Sequence, residues 1–351
     1  KDGAGNPPNP DGLMTDYLWK QILTKDMLSR IIENYATLVE EKDEETGKTR
    51  YKQIFPRYHQ LTAVESLLAD VKKNGVGNRY LIQHSAGSGK SNSIAWLAHQ
   101  LTGLEDAQGN LLVDSVIVVT DRVVLDKQIR DTIRQFAQTR NIIAWAEHSG
   151  DLRKAIEDGR RIIITTIGKF PYVLPEIGED HKDRHFAIII DEAHSSQNGK
   201  TAGTMNMTLS AIMSDPDMDN EDKINAMCEG KKLLTNASYF AFTATPKNKT
   251  LETFGTAYED AGVIKHRPFH VYTMKQAIQE GFILDVLKYY TPIDSYYRLK
   301  KTVEDDPMFD KKKAQKKLRA FVENQTFTIA QKADMMVSHF HEQVIAKGKI
   351  G

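Results

Sequence analysis

Five short apolar runs set the terms for this chain: "YLIQ" at 80–83, "SVIVVT" at 115–120, "RIIITT" at 161–166, "FAIIID" at 186–191 and "YFAFT" at 239–243. Each is nearly continuous in β-branched or aromatic residues. A strand of that kind has no face to offer to water, so it is buried on both sides. Amphipathic stretches such as 90–101 and 122–138 lie between the runs. The alternation predicts an α/β fold, a mainly parallel sheet flanked by helices. Ligands of such sheets bind at the carboxyl ends of the strands. Polar groups stand at all five of those ends: the glycine loop after "YLIQ", Thr120-Asp121-Arg122, Thr165-Thr166, Asp191-Glu192 and Thr243-Ala244-Thr245.

The loop itself reads Ser85-Ala86-Gly87-Ser88-Gly89-Lys90-Ser91 between a buried strand and an amphipathic helix. Glycines let backbone N–H groups turn toward concentrated negative charge, and the following helix presents its positive end. Lys90 can reach the β- and γ-phosphate oxygens, and Ser91 offers a hydroxyl to Mg²⁺. The strict phosphate-loop pattern wants glycine at position 84, where this chain has His84. Asp191 and Glu192 stand side by side where another strand stops. A phosphate-bound Mg²⁺ needs an anionic partner, assigned to Asp191, and the attacking water needs an orienting base, assigned to Glu192. His194 is either a core or capping histidine or a polar link toward Thr243-Ala244-Thr245. Upstream, "FPRYHQ" brings Arg57 and Gln60 ahead of the loop, and the Gln60 amide could both donate to and accept from an adenine edge.

Thr120, Arg122, Thr165, Thr166 and Lys169 are candidates for a nucleic-acid backbone, since hydroxyls and basic side chains contact phosphate without reading sequence. The basic run "KKKAQKKLR" at 311–319 reads as a solvated face, offset by Glu304, Asp305, Asp306 and Asp310. Nuclease-like acid patterns can be forced from Asp26 with Glu40-Glu41-Lys42, or from Glu221-Asp222-Lys223. Both read as incidental charge.

With 351 residues and 40% hydrophobic content the chain can bury a sizeable core. Lys+Arg and Asp+Glu both number 47, so a whole-surface basic footprint is absent and any nucleic-acid contact must be local. The single cysteine, Cys228, excludes an internal disulfide framework and suits a reducing cytoplasm. No apolar run reaches the ~18 residues of a membrane helix, so no membrane role is expected. The first twelve residues, "KDGAGNPPNPDG", are rich in glycine, proline and asparagine, and the chain begins with Lys1; both suggest a linker within something longer. Residues 15–41 show an approximate helical stripe with a Thr15 or Asp16 cap, and 40–50 read as a charged turn.

"HSAGSGKS", "DEAH" and "TATP", in that order, resemble the first motor domain of superfamily 2 helicases and translocases. The likeness is closer to the R subunits of type I restriction-modification enzymes, carried by "NRYLIQHSAGSGKSNSIAWLA", "TDRVVLDKQ", "ITTIGKF", "IIIDEAHSSQ", "AFTATPKNKTLETFG" and "MKQAIQEGFILDVL". It extends from about residue 12 to residue 351. In that family the loop does not require glycine at its first position, which removes the objection raised by His84.

The resemblance implies a RecA-like P-loop domain over 51–275, with a linker and packing helices at 1–50 and a connecting segment at 276–351. It implies ATP and Mg²⁺ as cofactors and places Arg57, Gln60, Ala86, Gly87, Ser88, Gly89, Lys90 and Ser91 at the nucleotide. Hydrolysis would fall to Lys90, Ser91, Asp191 and Glu192, with His194, Thr243 and Thr245 coupling nucleotide state to DNA grip. The implied activity is ATP-driven translocation on double-stranded DNA in a bacterial or archaeal cytoplasm, alongside methyltransferase (M) and specificity (S) subunits. The family's nuclease domain and second RecA-like domain would lie outside these residues, so weak turnover by this chain alone is expected. Two other readings remain: a different superfamily 2 DNA or RNA helicase, or a docking module that binds nucleotide without turnover.

Overall fold

The computed structural model describes residues 9, 11–42, 49–120, 132–134, 142–146, 148–166, 181–191, 235–285 and 326–345. Expectations on Arg122, Lys169, Glu192, His194, Cys228 and 311–319 fall outside them. The chain forms two units, Lys1–Tyr289 and Tyr290–Gly351. In the second, the described part is a helix at Thr326–Phe340 running into a π-helical turn at His341–Ile345.

The first unit is built on a seven-stranded sheet. Its strands are β3 (Arg79–His84), β4 (Ser115–Thr120), β5 (Ile143–Trp145), β6 (Ile162–Thr166), β7 (Phe186–Ile190), β8 (Ala237–Thr243) and β11 (His270–Tyr272), in the order β11-β3-β8-β7-β4-β6-β5. Every pairing is parallel. All carboxyl ends therefore point to one edge of the sheet.

The near-continuous apolar runs explain this directly. Successive side chains alternate faces. Leu81, Ile117, Val119, Ile163, Ile188, Ile190 and Tyr239 build one core; their neighbours Ile82, Val116, Val118, Ile162, Ile164, Ile189 and Phe240 build the other. The helices covering these faces are α2 (Tyr58–Asn74) and α3 (Lys90–Thr102), whose Leu61, Val64, Leu67, Ile94, Trp96 and Leu97 join the second core. Residues Leu152, Ile156 and Phe254, from α4 (Ser149–Glu157) and α5 (Asn248–Phe254), join the first. Each fully buried aliphatic or aromatic side chain contributes roughly 1.5–3 kcal/mol to holding the layers together.

The N-terminal stripe is only partly helical. A π-helical turn at Leu18–Ile22 precedes α1 (Lys25–Asn34), and the cap is Thr24, whose hydroxyl accepts from the Met27 amide, rather than Thr15 or Asp16. From Thr37 the chain becomes β1 (Thr37–Lys42), paired antiparallel with β2 (Thr49–Ile54), so the charged stretch at 40–50 is flanked by strands. A β-branched, alternating "TLVEEK" fits a strand better than another helical turn. Tyr35 anchors this region: its hydroxyl donates to Glu65 at 2.8 Å, and its carbonyl accepts from the Trp96 indole at 3.0 Å. A second hairpin, β9 (Thr256–Asp260) with β10 (Val263–Arg267), precedes β11. After β11 comes α6 (Met274–Gln279), opened by Thr273, which accepts from the Gln276 amide while the Gln276 side chain accepts from the Thr273 amide. Among the described residues, no helix is long and apolar enough to cross a membrane.

Candidate nucleotide site

β3 ends at His84 and delivers the chain into the glycine loop at the sheet's carboxyl edge, one strand in from the border, with β11 on one side and β8 on the other. Gly87 and Gly89 take φ of +73° and +77°, a region costly to residues bearing a Cβ. At Gly89 the space is closed as well: an added Cβ would lie 2.5 Å from Nε2 of Gln60. The loop hands over to α3 at Lys90, whose first turn closes onto Gly89 through the Asn92 amide at 3.1 Å.

The amino end of α2 holds this loop from below. Gln60 is 3% exposed; its Nε2 donates to the Gly89 carbonyl at 3.0 Å, while its Oε1 accepts from the Arg57 amide at 2.9 Å. Both ends of the amide proposed for an adenine edge are thus engaged within the chain. His59, beside it, lies with Nε2 3.0 Å from the Ser88 carbonyl, so that nitrogen carries the proton and donates. Its ring stacks on Tyr272 at 3.7 Å and 3°. The Tyr272 hydroxyl donates to Glu280 at 2.5 Å, and the Tyr272 carbonyl accepts from the Ser85 amide. The chain beyond α6 then comes back over the loop: Phe282 receives the Arg57 guanidinium 3.4 Å above its ring, and Ile283 comes within 3.2 Å of where a Cβ on Gly87 would sit.

Behind the loop, His84 and His270 are bonded at 2.9 Å, and Thr62 lies 3.2 Å from His270. Burial, the largest cause, together with the neighbouring His270, His59 and Lys90 charges, holds His84 well below its usual range. Burial likewise lowers His59 and pushes His270 down to about 4. All three rings are neutral at pH 7.

Lys90 and Asp191 are both nearly buried, at 7% and 6% exposure. The Asp191 amide donates to the Val119 carbonyl at 2.9 Å, which fixes the residue at the end of β7. β3 and β7 are separated only by β8, so their ends stand roughly 10 Å apart at ~4.8 Å per strand spacing. Ser91, in the first turn of α3, and Asp191, just after β7, are the oxygen-bearing residues at this edge that could hold a Mg²⁺. A Mg²⁺ site of this sort uses one or two protein oxygens and takes the rest from phosphate and water. Among the described residues no three or more His, Cys, Asp or Glu side chains form a cluster that could hold a metal. The Ser88 hydroxyl is buried with no partner among the described residues.

The other predicted residues distribute as follows. Thr120 and Thr165 are buried, and the Thr120 hydroxyl donates to the Thr165 carbonyl at 3.4 Å; Thr166 is partly exposed. Thr243 is buried and accepts from the Thr245 amide at 3.4 Å, while Thr245 is exposed, as are Ala86 and Gly87. His59, His270, Tyr272, Phe282 and Ile283 escaped the sequence reading. The one local signal for them was the Thr273–Gln276 capping pair, which announces α6.

The SWI2/SNF2 ATPase family model matches residues 59–322. The C-terminal part of the type I restriction enzyme MpnIIP endonuclease subunit of Mycoplasma pneumoniae is 31% identical over 159 residues, covering 41% of this chain and 73% of that protein. The type I restriction enzyme SauMSSORF170P endonuclease subunit of Staphylococcus aureus (strain MSSA476) is 27% identical over 235 residues. That alignment takes in 65% of this chain, which spans 21% of the staphylococcal relative's length. Among solved structures, a nuclease-deletion mutant of the Type ISP restriction-modification enzyme LlaGI with a DNA substrate mimic covers 67% of this chain and 21% of that chain, at 18% identity and TM-score 0.39. The chain belongs to the SWI2/SNF2 ATPase family, in the form carried by the endonuclease subunits of type I restriction enzymes.

Proposed function

We propose that this chain is an ATP-hydrolysing motor that moves along double-stranded DNA within a type I restriction endonuclease. The observation that carries the reading is the meeting of the glycine loop, the buried Lys90 and the buried Asp191 at one edge of the parallel sheet. A turn into a helix requires neither a buried ammonium nor a carboxylate across the sheet from it.

In this reading the backbone of Ala86–Gly89 wraps the triphosphate and Lys90 holds its β- and γ-oxygens. Ser91 and Asp191 hold Mg²⁺, which when bound neutralises charge on the phosphates. Glu192 orients the attacking water and takes its proton. Thr243 and Thr245, with His194, carry nucleotide state toward the DNA. Thr166, Arg122 and Lys169 touch the DNA backbone, while the buried Thr120 and Thr165 set the strand ends that present them. The motor occupies 51–275, and 1–50 and 276–351 flank it. Methyltransferase and specificity subunits are its partners in a bacterial or archaeal cytoplasm.

ATP turnover measured with linear duplex DNA, with single-stranded RNA and with neither tests this. Stimulation by duplex DNA that Lys90→Ala abolishes is the expected result. Stimulation by RNA alone points instead to another helicase of the superfamily, and turnover unchanged by Lys90→Ala leaves only a docking role. Turnover by the 351 residues alone is expected to be slow, and to rise when a second RecA-like domain supplies arginines, worth roughly 10³–10⁵ in phosphoryl transfer. No gain on such an extension overturns that part.

A further inference from the structure

We propose that His59 is a positioning residue of this motor: by holding the Ser88 carbonyl toward α2, it keeps the Ser88–Gly89 peptide from flipping and its N–H aimed at the polyphosphate. The inference rests on the nucleotide reading of the glycine loop. Three observations carry it.

The first is where the carbonyls of the loop go. A loop that binds an anion through backbone N–H groups must turn its carbonyls the other way, and each buried carbonyl needs a donor there. Ser88 is buried, and Nε2 of His59 donates to its carbonyl at 3.0 Å. The next carbonyl, that of Gly89, is drawn to the same side by Nε2 of Gln60, also at 3.0 Å. A planar trans peptide points its N–H opposite to its C=O. Two successive carbonyls facing α2 therefore leave the N–H groups of Gly89 and Lys90 facing away from it, the concave nest that takes an anion.

The second is why a lock is needed. Gly89 has φ of +77°, and glycine passes between positive and negative φ at little cost, so the peptide before it is free to turn over. A flip would put the Ser88 oxygen where the Gly89 N–H belongs, and a carbonyl oxygen repels a triphosphate. The Gly89 carbonyl is held from within α3 as well, through the Asn92 amide at 3.1 Å. The Ser88 carbonyl, one residue earlier, takes its bond from His59.

The third is how firmly the donor is held. The His59 ring is 2% exposed and lies flat on Tyr272 at 3.7 Å and 3°, and the Tyr272 hydroxyl donates to Glu280 at 2.5 Å. β11 and the end of α6 thus brace the imidazole that braces the loop.

The test is equilibrium binding of inorganic tripolyphosphate with Mg²⁺ to this chain, to His59→Phe and to His59→Gln, with the Gly89 amide resonance followed in isotope-labelled protein. His59→Phe keeps a flat ring on Tyr272 and loses the donor. His59→Gln loses the ring and returns an amide nitrogen near the place of Nε2. Tripolyphosphate is expected to bind His59→Phe about tenfold more weakly, and His59→Gln recovers most of that loss. The Gly89 resonance moves on saturation of the unsubstituted chain and moves less in His59→Phe. Unchanged binding in His59→Phe overturns the proposal. So does an equal loss in His59→Gln, because ring packing would then be what counts. If neither variant folds by circular dichroism, the unsubstituted chain decides: a Gly89 resonance that stays put at saturation overturns the proposal. If tripolyphosphate fails to bind the unsubstituted chain, the nucleotide reading itself falls and takes this inference with it.

Discussion

His84 donates its Nε2 proton to Nδ1 of His270 across 2.9 Å, and the next link fixes that direction. The Thr62 hydroxyl spends its single proton on the Tyr58 carbonyl at 2.9 Å, so toward His270 Nε2, 3.2 Å away, it can only accept. His270 therefore carries its proton on Nε2 and presents a bare Nδ1. The relay joins the strand under the glycine loop to α2 and to the edge strand β11, and its His84–His270 bond requires an unprotonated Nδ1 on His270.

Acid should loosen the site and the fold together. His59, His84 and His270 all have folded pKa values below the ordinary 6.5, chiefly through burial, with His270 at about 4. The unfolded chain therefore binds more protons below pH 6.5. The stability these groups contribute is complete above that pH and is lost as pH falls toward about 4. For His270 the loss is about 1.4 kcal/mol per pH unit across that window, and His59 and His84 act in the same direction. Urea unfolding at pH 7.5 and 5.5 measures the loss; equal stability at both would refute the neutral relay.

Gly89→Ala meets two obstacles at once. The left-handed backbone costs roughly 1–2 kcal/mol for a residue with a Cβ, and that Cβ would displace the Gln60 amide from 2.5 Å. Thermal unfolding should show this loss, and binding of tripolyphosphate should fall with it. Gly109→Ala, also at positive φ but with open space around it, serves as the control that pays only the backbone strain.

Tyr272→Phe keeps the ring that stacks on His59 and removes the hydroxyl that donates to Glu280. A hydrogen bond to a charged group contributes about 1.5–3 kcal/mol. Stability should drop by about that much in chemical denaturation at neutral pH. A change under ~0.5 kcal/mol would mean that α6 is held over the loop by packing alone.

Asp191→Asn removes the anion assigned to the metal and changes side-chain size little. Turnover should fall roughly 10²–10³-fold, the scale of several kcal/mol of lost charge stabilisation, with the fold intact by circular dichroism. Full activity in this variant would place the metal elsewhere.

Parts of this architecture are written locally in the chain. "SVIVVT" and "FAIII" have no polar face, and residues so built can only be strands buried on both sides; the alternation of the two cores across Val116–Val119 follows. The glycine loop is as legible, because its chemistry lies in seven adjacent residues. The N-terminal stripe misled because spacing alone cannot distinguish a third helical turn from "TLVEEK", which finds β2 as a strand partner. Gln60 shows a different limit: its amide chemistry is local, while one of its partners, the Gly89 carbonyl, lies 29 residues on.

What the sequence determined by itself, then, was the fold class and the glycine loop between β3 and α3, since both rest on local pattern and on side-chain chemistry that neighbours in the chain supply. The tertiary structure alone decided how that loop is braced and what borders it. His84 meets His270 across 186 positions, and Phe282 reaches Arg57 from the far end of the domain. Contacts of that range are set by where the parallel sheet brings its edge strand and by which surface the returning chain can bury, and no stretch of residues carries that information alone.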